Sequence, residues 1–159
     1  MSSRADHRPF GTLRDAAEEA AWRRRATENP GAFHGDVAAA ELHWCDGGCW
    51  LKRDPDTGTW DGYDAATGDA VSDQRPGAWY PWERAFDDRD APFYRWFEGA
   101  HTNACFNEVD RHVLAGQGAR EAFRFEGDRW DPARHGGRGG PVRELTITYR
   151  ELLVETVLR

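Results

Sequence analysis

The sequence predicts an α+β fold. Helices come first, an antiparallel β-meander occupies the middle, and a strand, a helix and a β-hairpin then lead into a last helix. Three observations carry this expectation. The chain opens on Ala-, Arg- and Glu-rich segments punctuated by helix-capping residues. Turn-forming clusters then recur at roughly ten-residue spacing between short aromatic runs. Finally, apolar residues change from helical spacing at Phe106, Val109 and Val113 to strict alternation at Leu145, Ile147 and Tyr149.

Composition narrows the possibilities. The 159 residues are 39% hydrophobic, with eight Trp, eight Phe and four Tyr, which suffices for the core of one domain or part of a larger one. A net charge of −7 argues against nucleic-acid or acidic-membrane partners held by electrostatics. No apolar run approaches the roughly 20 residues of a membrane span. The N-terminal "MSSRADHRPFG" lacks the apolar stretch of a signal peptide. With three cysteines, an odd number, these features imply a cytoplasmic protein with reduced thiols.

Taken in order, residues 1–44 read as a helical segment. Thr12 and Asp15 form a capping-box-like start, Glu18 and Glu19 suit the positive end of a helix dipole, and Arg23, Arg24 and Arg25 suit the other. Leu13, Ala16, Ala17, Ala20 and Ala21 supply a small-residue apolar face. Asn29-Pro30 ends this helix and starts the next, with Asn29 as cap and Pro30 in the first turn. Phe33, Val37 and Leu42 lie along the second helix.

Residues 45–90 read as a meander followed by an aromatic linker. Asp46-Gly47-Gly48, Asp54 to Gly58 and Ala65 to Gly68 are turn signals, and Trp50, Leu51, Trp60, Tyr63 and Val71 lie in the runs between them. "RPGAWYPWERAF" is the linker. Residues 91–159 then open on an aromatic strand at Phe93, Tyr94, Trp96 and Phe97. Thr102 and Asn103 can cap a helix, which carries Cys105, Phe106, Val109 and Val113 on one face and Asn103, Asn107, Asp110 and Arg111 on the other. Ala122, Phe123 and Phe125 pair with Leu145 and Ile147, and Thr148 with Glu151 forms a capping box for the last helix.

The stretch "FYRWFEGAHTNACFNEVDRH" carries a resemblance to the N-terminal region of AMP-forming acetyl- and propionyl-CoA synthetases. Trp96, Phe97, Asn103, Asn107, Asp110, Arg111 and His112 match that family's "W[FY]-x-x-G-x-x-N-x-x-x-N-x-x-DRH" signature. Further matches run through Pro30, Phe33, His34, Gly35, Leu42 and Trp44, and through the "FEGD" at Phe125 and the "ITYREL" at Ile147. The meander and the "AFDDRDAPFYRWF" passage from Ala85 to Phe97 resemble the synthetase part of fused propionyl-CoA synthases in particular.

The resemblance implies an incomplete part of a larger α/β adenylate-forming domain. The full enzyme would use ATP, Mg²⁺ and CoA to convert a short carboxylate (3-hydroxypropionate, propionate or acetate) to its acyl-CoA. The motifs for those steps lie further along in the family, so no catalytic, cofactor-binding or metal-binding residue is assigned here. Trp96, Asn103, Asn107, Asp110, Arg111 and His112 are structural signature residues, and Asn103, Asn107, Asp110 and Arg111 among them are read as a structural hydrogen-bond network holding the N-terminal segment onto the main domain. The partner implied is the downstream AMP-binding core.

Other constellations have plainer explanations. Cys45, Cys49 and His43 could suggest zinc, but a tight hairpin suits "CDGGC" better. "HGGRGGP" is followed by a strand, not by the helix that a phosphate cradle needs, and reads as a flexible surface loop. Cys105 and His112 lie seven residues apart, about 10 Å along a helix, so Cys105 reads as a small core residue rather than a nucleophile. The tryptophans read as packing surface rather than a carbohydrate platform.

No Gly, Asn or Pro ends the last helix, so the chain is expected to be the beginning of a longer protein, and to self-associate if alone through Leu152, Leu153, Val157 and the hairpin's apolar residues. The alternatives are a stand-alone protein-interaction or scaffold module, or a small metal-binding protein.

Overall fold

A computed structural model describes residues 13–73 and 79–157. The chain divides into two compact units, Met1–Asn103 and Ala104–Arg159. The α+β class and the predicted element order both hold.

The first unit opens on α1 (Ala16–Glu28) and α2 (Pro30–Glu41). Asp15 caps α1 by accepting the Glu18 N–H at 2.8 Å, while Thr12 lies outside the described residues. Asn29 serves both helices as expected: its N–H donates to Arg25 at the end of α1, and its side chain accepts the Ala32 N–H at 3.0 Å. The expected alanine face of α1 buries nothing. Trp22 makes the contact instead, edge-on to Phe33 with ring centroids 5.6 Å apart, and Arg25 pairs with Asp36. A stripe of single methyls offers too little apolar area, whereas one indole offers far more.

On α2 it is the smallest residues that go inside. Gly35, Ala38, Ala39 and Ala40 are buried, whereas Val37 and Leu42 are only half-buried. A Cβ at Gly35 would stand 3.4 Å from that of Ala85, so α2 lies close against the chain segment that becomes β5.

The predicted meander is a four-stranded antiparallel sheet, β1 (Trp44–Asp46), β2 (Cys49–Arg53), β3 (Trp60–Asp64) and β4 (Ala70–Asp73), in sequence order. Gly47 (φ 53°) and Gly48 (φ 84°) close the first hairpin as a turn with two positive φ angles, the form that suits strand twist. The next two turns repeat one device. Asp54 Oδ1 accepts the N–H groups of Asp56 and Thr57, and ten residues on Asp64 Oδ1 accepts those of Ala66 and Thr67. These Asx-turns are the physical basis of the periodic turn signals.

Register puts Trp44 opposite Leu51, Leu51 opposite Gly62, and Gly62 opposite Val71. That face meets α2. Leu51 is 1% and Trp60 0% exposed, and Ala38, Ala39 and Trp44 complete the core. Trp79, Tyr80 and Trp82 pack over it, with Trp79 edge-on to Trp60 at 4.9 Å.

The aromatic linker also contains a strand that its Pro-rich composition hides. β5 (Arg84–Asp87) pairs antiparallel with β6 (Arg95–Glu98). The second strand begins later than its aromatic run, leaving Phe93 and Tyr94 exposed ahead of it. Within β6, Phe97 adopts φ 51°, a left-handed conformation that costs a non-glycine residue about 1–3 kcal/mol. Its ring lies 5.1 Å from Trp44 and 5.0 Å from Trp82, and this packing holds the conformation.

The second unit begins with two π-helical turns, Phe106–Asp110 and Val113–Gln117, in which Arg111 N–H reaches back five residues to Phe106. β7 (Glu121–Glu126) and β10 (Glu144–Thr148) form the predicted hairpin, with Phe123 opposite Ile147 and Phe125 opposite Leu145. Thr148 and Glu151 cap α4 (Tyr149–Val157) reciprocally: Thr148 N–H donates to Glu151 Oε2 at 2.8 Å, and Glu151 N–H to Thr148 Oγ1 at 3.2 Å. These bonds hold the Glu151 carboxyl below its ordinary range.

The Gly-rich loop carries short regular elements. The two-residue strands β8 (Trp130–Asp131) and β9 (Gly140–Pro141) close its base, and between them Arg134–Gly137 (α3) is an irregular turn with left-handed His135 and Gly136. Gly139 lies so close beneath the Trp130 indole that a Cβ there would fall 2.5 Å from its Nε1.

Gly62 generates a prediction. A Cβ at this position would sit 1.7 Å from the Trp50 carbonyl oxygen, with no flexible side chain to yield. Gly62→Ala should therefore destabilise the first unit by about 1–3 kcal/mol or more. Thermal melting monitored by tryptophan fluorescence measures this. An unchanged midpoint would mean that the strands part there without cost.

Candidate functional site

The signature residues divide between the two units. Trp96, on β6, is 44% exposed. Its ring lies 4.5 Å from Phe86 and stands edge-on to His34 at 5.0 Å. With His34, Val37, Ala38, Glu41 and Phe97 it lines an almost wholly apolar groove of about 400 Å³ between α2 and β6. β5 supports Trp96 from below, and the small residues of α2 allow the approach. Asn103 is the last residue of the first unit and is exposed.

The remaining signature residues belong to the second unit. Asn107 departs from the expected polar face. It is only 4% exposed, buried alongside Phe106 and Val109. Cys105, expected in the core, is exposed. The π-helical turns explain both shifts, because reaching back five residues instead of four changes which side chains share a face. The Thr102 hydroxyl donates to the His43 carbonyl at 2.8 Å, within the first unit.

Asp110, Arg111 and His112 are half-buried. The His112 ring lies against Tyr149, the first residue of α4, with centroids 4.4 Å apart and planes 31° apart. Burial, and then the neighbouring Arg111, lower the His112 pKa.

Register decides the question of Cys45 and Cys49. Cys45 stands opposite Trp50 and Asp46 opposite Cys49, so the two thiols project from opposite faces of the hairpin. They cannot share a metal ion or form a disulfide in this register. Among the described residues, no group of three or more His, Cys, Asp or Glu side chains is placed to hold a metal. Nor is any described helix long and apolar enough to cross a membrane.

Two further surface features are built into these units. On the second, register places Phe123, Phe125, Leu145 and Ile147 on one face of the β7–β10 ribbon, and the first three are 51%, 39% and 43% exposed. Val154 of α4 is 50% exposed, while Leu152 and Leu153 are half-buried; the side chain of Val157 lies outside the described residues. On the first unit, Asp87 at the end of β5 is 6% exposed and accepts from Arg89 Nε at 2.7 Å, with Arg84 at 3.3 Å. The Arg89 hydrogen bonds hold the Asp87 carboxyl well below the usual carboxylate range.

This chain is similar to known proteins along its central stretch. Residues 78–107 match the family model for the acetyl-coenzyme A synthetase N-terminus. Acetyl-coenzyme A synthetase of Burkholderia lata is 50% identical over 77 residues, which cover 48% of this chain and 10% of that protein. The corresponding proteins of Burkholderia thailandensis and Burkholderia mallei are 41% and 50% identical over 73 residues, each covering 46% of this chain and 9% of theirs. The chain thus spans about a tenth of the length of the relatives it matches. The matched family stretch contains β5, β6, Trp96, Asn103 and Asn107.

Asp87 yields a pH prediction. Its pKa is lowered in the fold, so its contribution to stability is present above the ordinary carboxylate value of about 3.9 and is lost as pH falls below it. Asp87→Asn should melt at a lower temperature than the parent chain at pH 7, and the gap should close as pH falls from 4 towards 2. A gap that stays constant with pH would show that the Arg89 pairing adds nothing specific to the charge.

Proposed function

We propose that the chain is the N-terminal segment of an ATP-dependent, AMP-forming short-chain acyl-CoA synthetase, and that it is inactive by itself. What carries this reading is the 50% identity over 77 residues to an acetyl-coenzyme A synthetase. ATP, Mg²⁺ and CoA would act on the part of the enzyme beyond these residues. The segment's own task is structural: it presents an apolar ribbon face and a helix end for the AMP-binding core to cover.

The finer assignment is to the propionyl-CoA synthase type, acting on 3-hydroxypropionate, propionate or acetate. In its favour is the passage from Ala85 to Phe97, which here folds as the β5–β6 hairpin, together with the four-stranded meander ahead of it.

The test has two parts. The purified chain should give no ATP–pyrophosphate exchange with acetate, propionate or 3-hydroxypropionate; detectable acyl-adenylate would overturn the structural role. A synthetase core supplied as a separate chain should bind it. Phe125→Glu and Leu145→Glu, each at a site about 40% exposed, should weaken that binding about tenfold or more, since burying one such side chain contributes about 1.5–3 kcal/mol. Wild-type affinity in both variants would place the contact elsewhere.

A further inference from the structure

We propose that the stack of His112 on Tyr149 is a pH-sensitive latch, which holds the start of α4 against the π-helical turns of the second unit and loosens below neutral pH. The geometry confines the contact to one junction. Tyr149 is both the first residue of α4 and the partner of the His112 ring at 4.4 Å. Beside that stack the backbone is tied to the short segment after the π-helical turns: Tyr149 N–H donates to the Arg120 carbonyl at 3.1 Å, and Arg150 N–H to the Gly118 carbonyl at 3.0 Å. Gly118 is buried, with the Arg150 guanidinium 3.1 Å from where its Cβ would be. The stack and the two backbone bonds therefore act together on one helix end.

The charges around His112 set the direction of the response. Arg111 stands beside it on its own helix, and Arg120 comes from the connection to β7. α4 contributes Tyr149, with Arg150 seated at Gly118. Gln117 bonds the imidazole and Glu108 pulls the other way, yet burial and the two arginines prevail and the pKa is lowered. A proton on His112 would add a cation to a half-buried place that already faces arginines. The docked state therefore favours neutral His112, while the undocked state has the ordinary value near 6.5. Docking is fully supported above about pH 6.5 and weakens as pH falls below it towards the lowered value.

Hydrogen exchange on the full chain tests this, with rates corrected for the intrinsic pH dependence. Amides of Tyr149–Val157 should lose roughly threefold to tenfold protection between pH 7.5 and pH 5.5, while those of β2 and β3 keep theirs. His112→Phe keeps an aromatic ring on Tyr149 without a titratable group, so its α4 protection should not change across the same range. The His112 ring resonances should titrate below 6.5. The proposal fails if His112→Phe shows the same loss as the parent chain, if α4 protection in the parent is flat with pH, or if His112 titrates at or above 6.5. Its outcome is independent of the synthetase assignment, because neither substrate nor core takes part.

Discussion

The indole N–H of Trp44 donates to the carbonyl of Ala38 across 2.9 Å in the buried core of the first unit. The rest of that unit depends on this bond. A buried tryptophan N–H without an acceptor would cost about 1–3 kcal/mol, so the position of Trp44 is fixed to the last turn of α2. Because Trp44 also begins β1, the bond sets where the sheet starts relative to the helix. Everything on the same face follows through register: Leu51 opposite Trp44, then Gly62, then Val71. The Trp82 and Phe97 rings close over Trp44 at 5.1 Å each, which brings the β5–β6 hairpin to the same place.

Small residues make that arrangement possible. Gly35, Ala38 and Ala39 on α2, and Gly62 in the sheet, stand where side chains of ordinary size would hold the layers apart. The bulky residues lie around them. This division explains why a unit so rich in tryptophan places Trp44 and Trp60 wholly inside, yet leaves Trp96 at the rim of a groove. It also accounts for Phe97 at positive φ: the ring has one well-packed place to go, and the backbone turns to deliver it there.

The second unit is built differently. Among the described residues its buried side chains are few, Phe106, Asn107 and Val109 among them, and its hairpin keeps an apolar face exposed. A two-stranded ribbon is marginal by itself, and such a face is the kind that a larger neighbouring domain covers. That contrast agrees with a similarity that covers about a tenth of the length of its relatives.

Local chemistry was legible in the sequence. The Asn29 cap, the Thr148–Glu151 capping box, the Gly47-Gly48 turn and the spacing of the meander turns are all decided within a few residues, so composition and order suffice to find them. The strand pairing of Phe123 and Phe125 with Leu145 and Ile147 was legible for the same reason, since alternation is a local signal. What escaped was decided by packing at a distance. Strand β5 sits in a Pro-rich stretch and exists because β6 pairs with it. Cys105 faces outward and Asn107 inward because the helix takes π-helical turns that the apolar spacing does not announce. The contact between α1 and α2 falls to Trp22 and Arg25, because an alanine face is too small to hold two helices together. In the candidate site, the sequence identified Trp96 and the Asp110-Arg111-His112 triplet as a signature. Only the tertiary structure separated them into two units and set His112 on Tyr149, because a ring 37 positions further along the chain reaches it through β10 and α4, not through any local spacing.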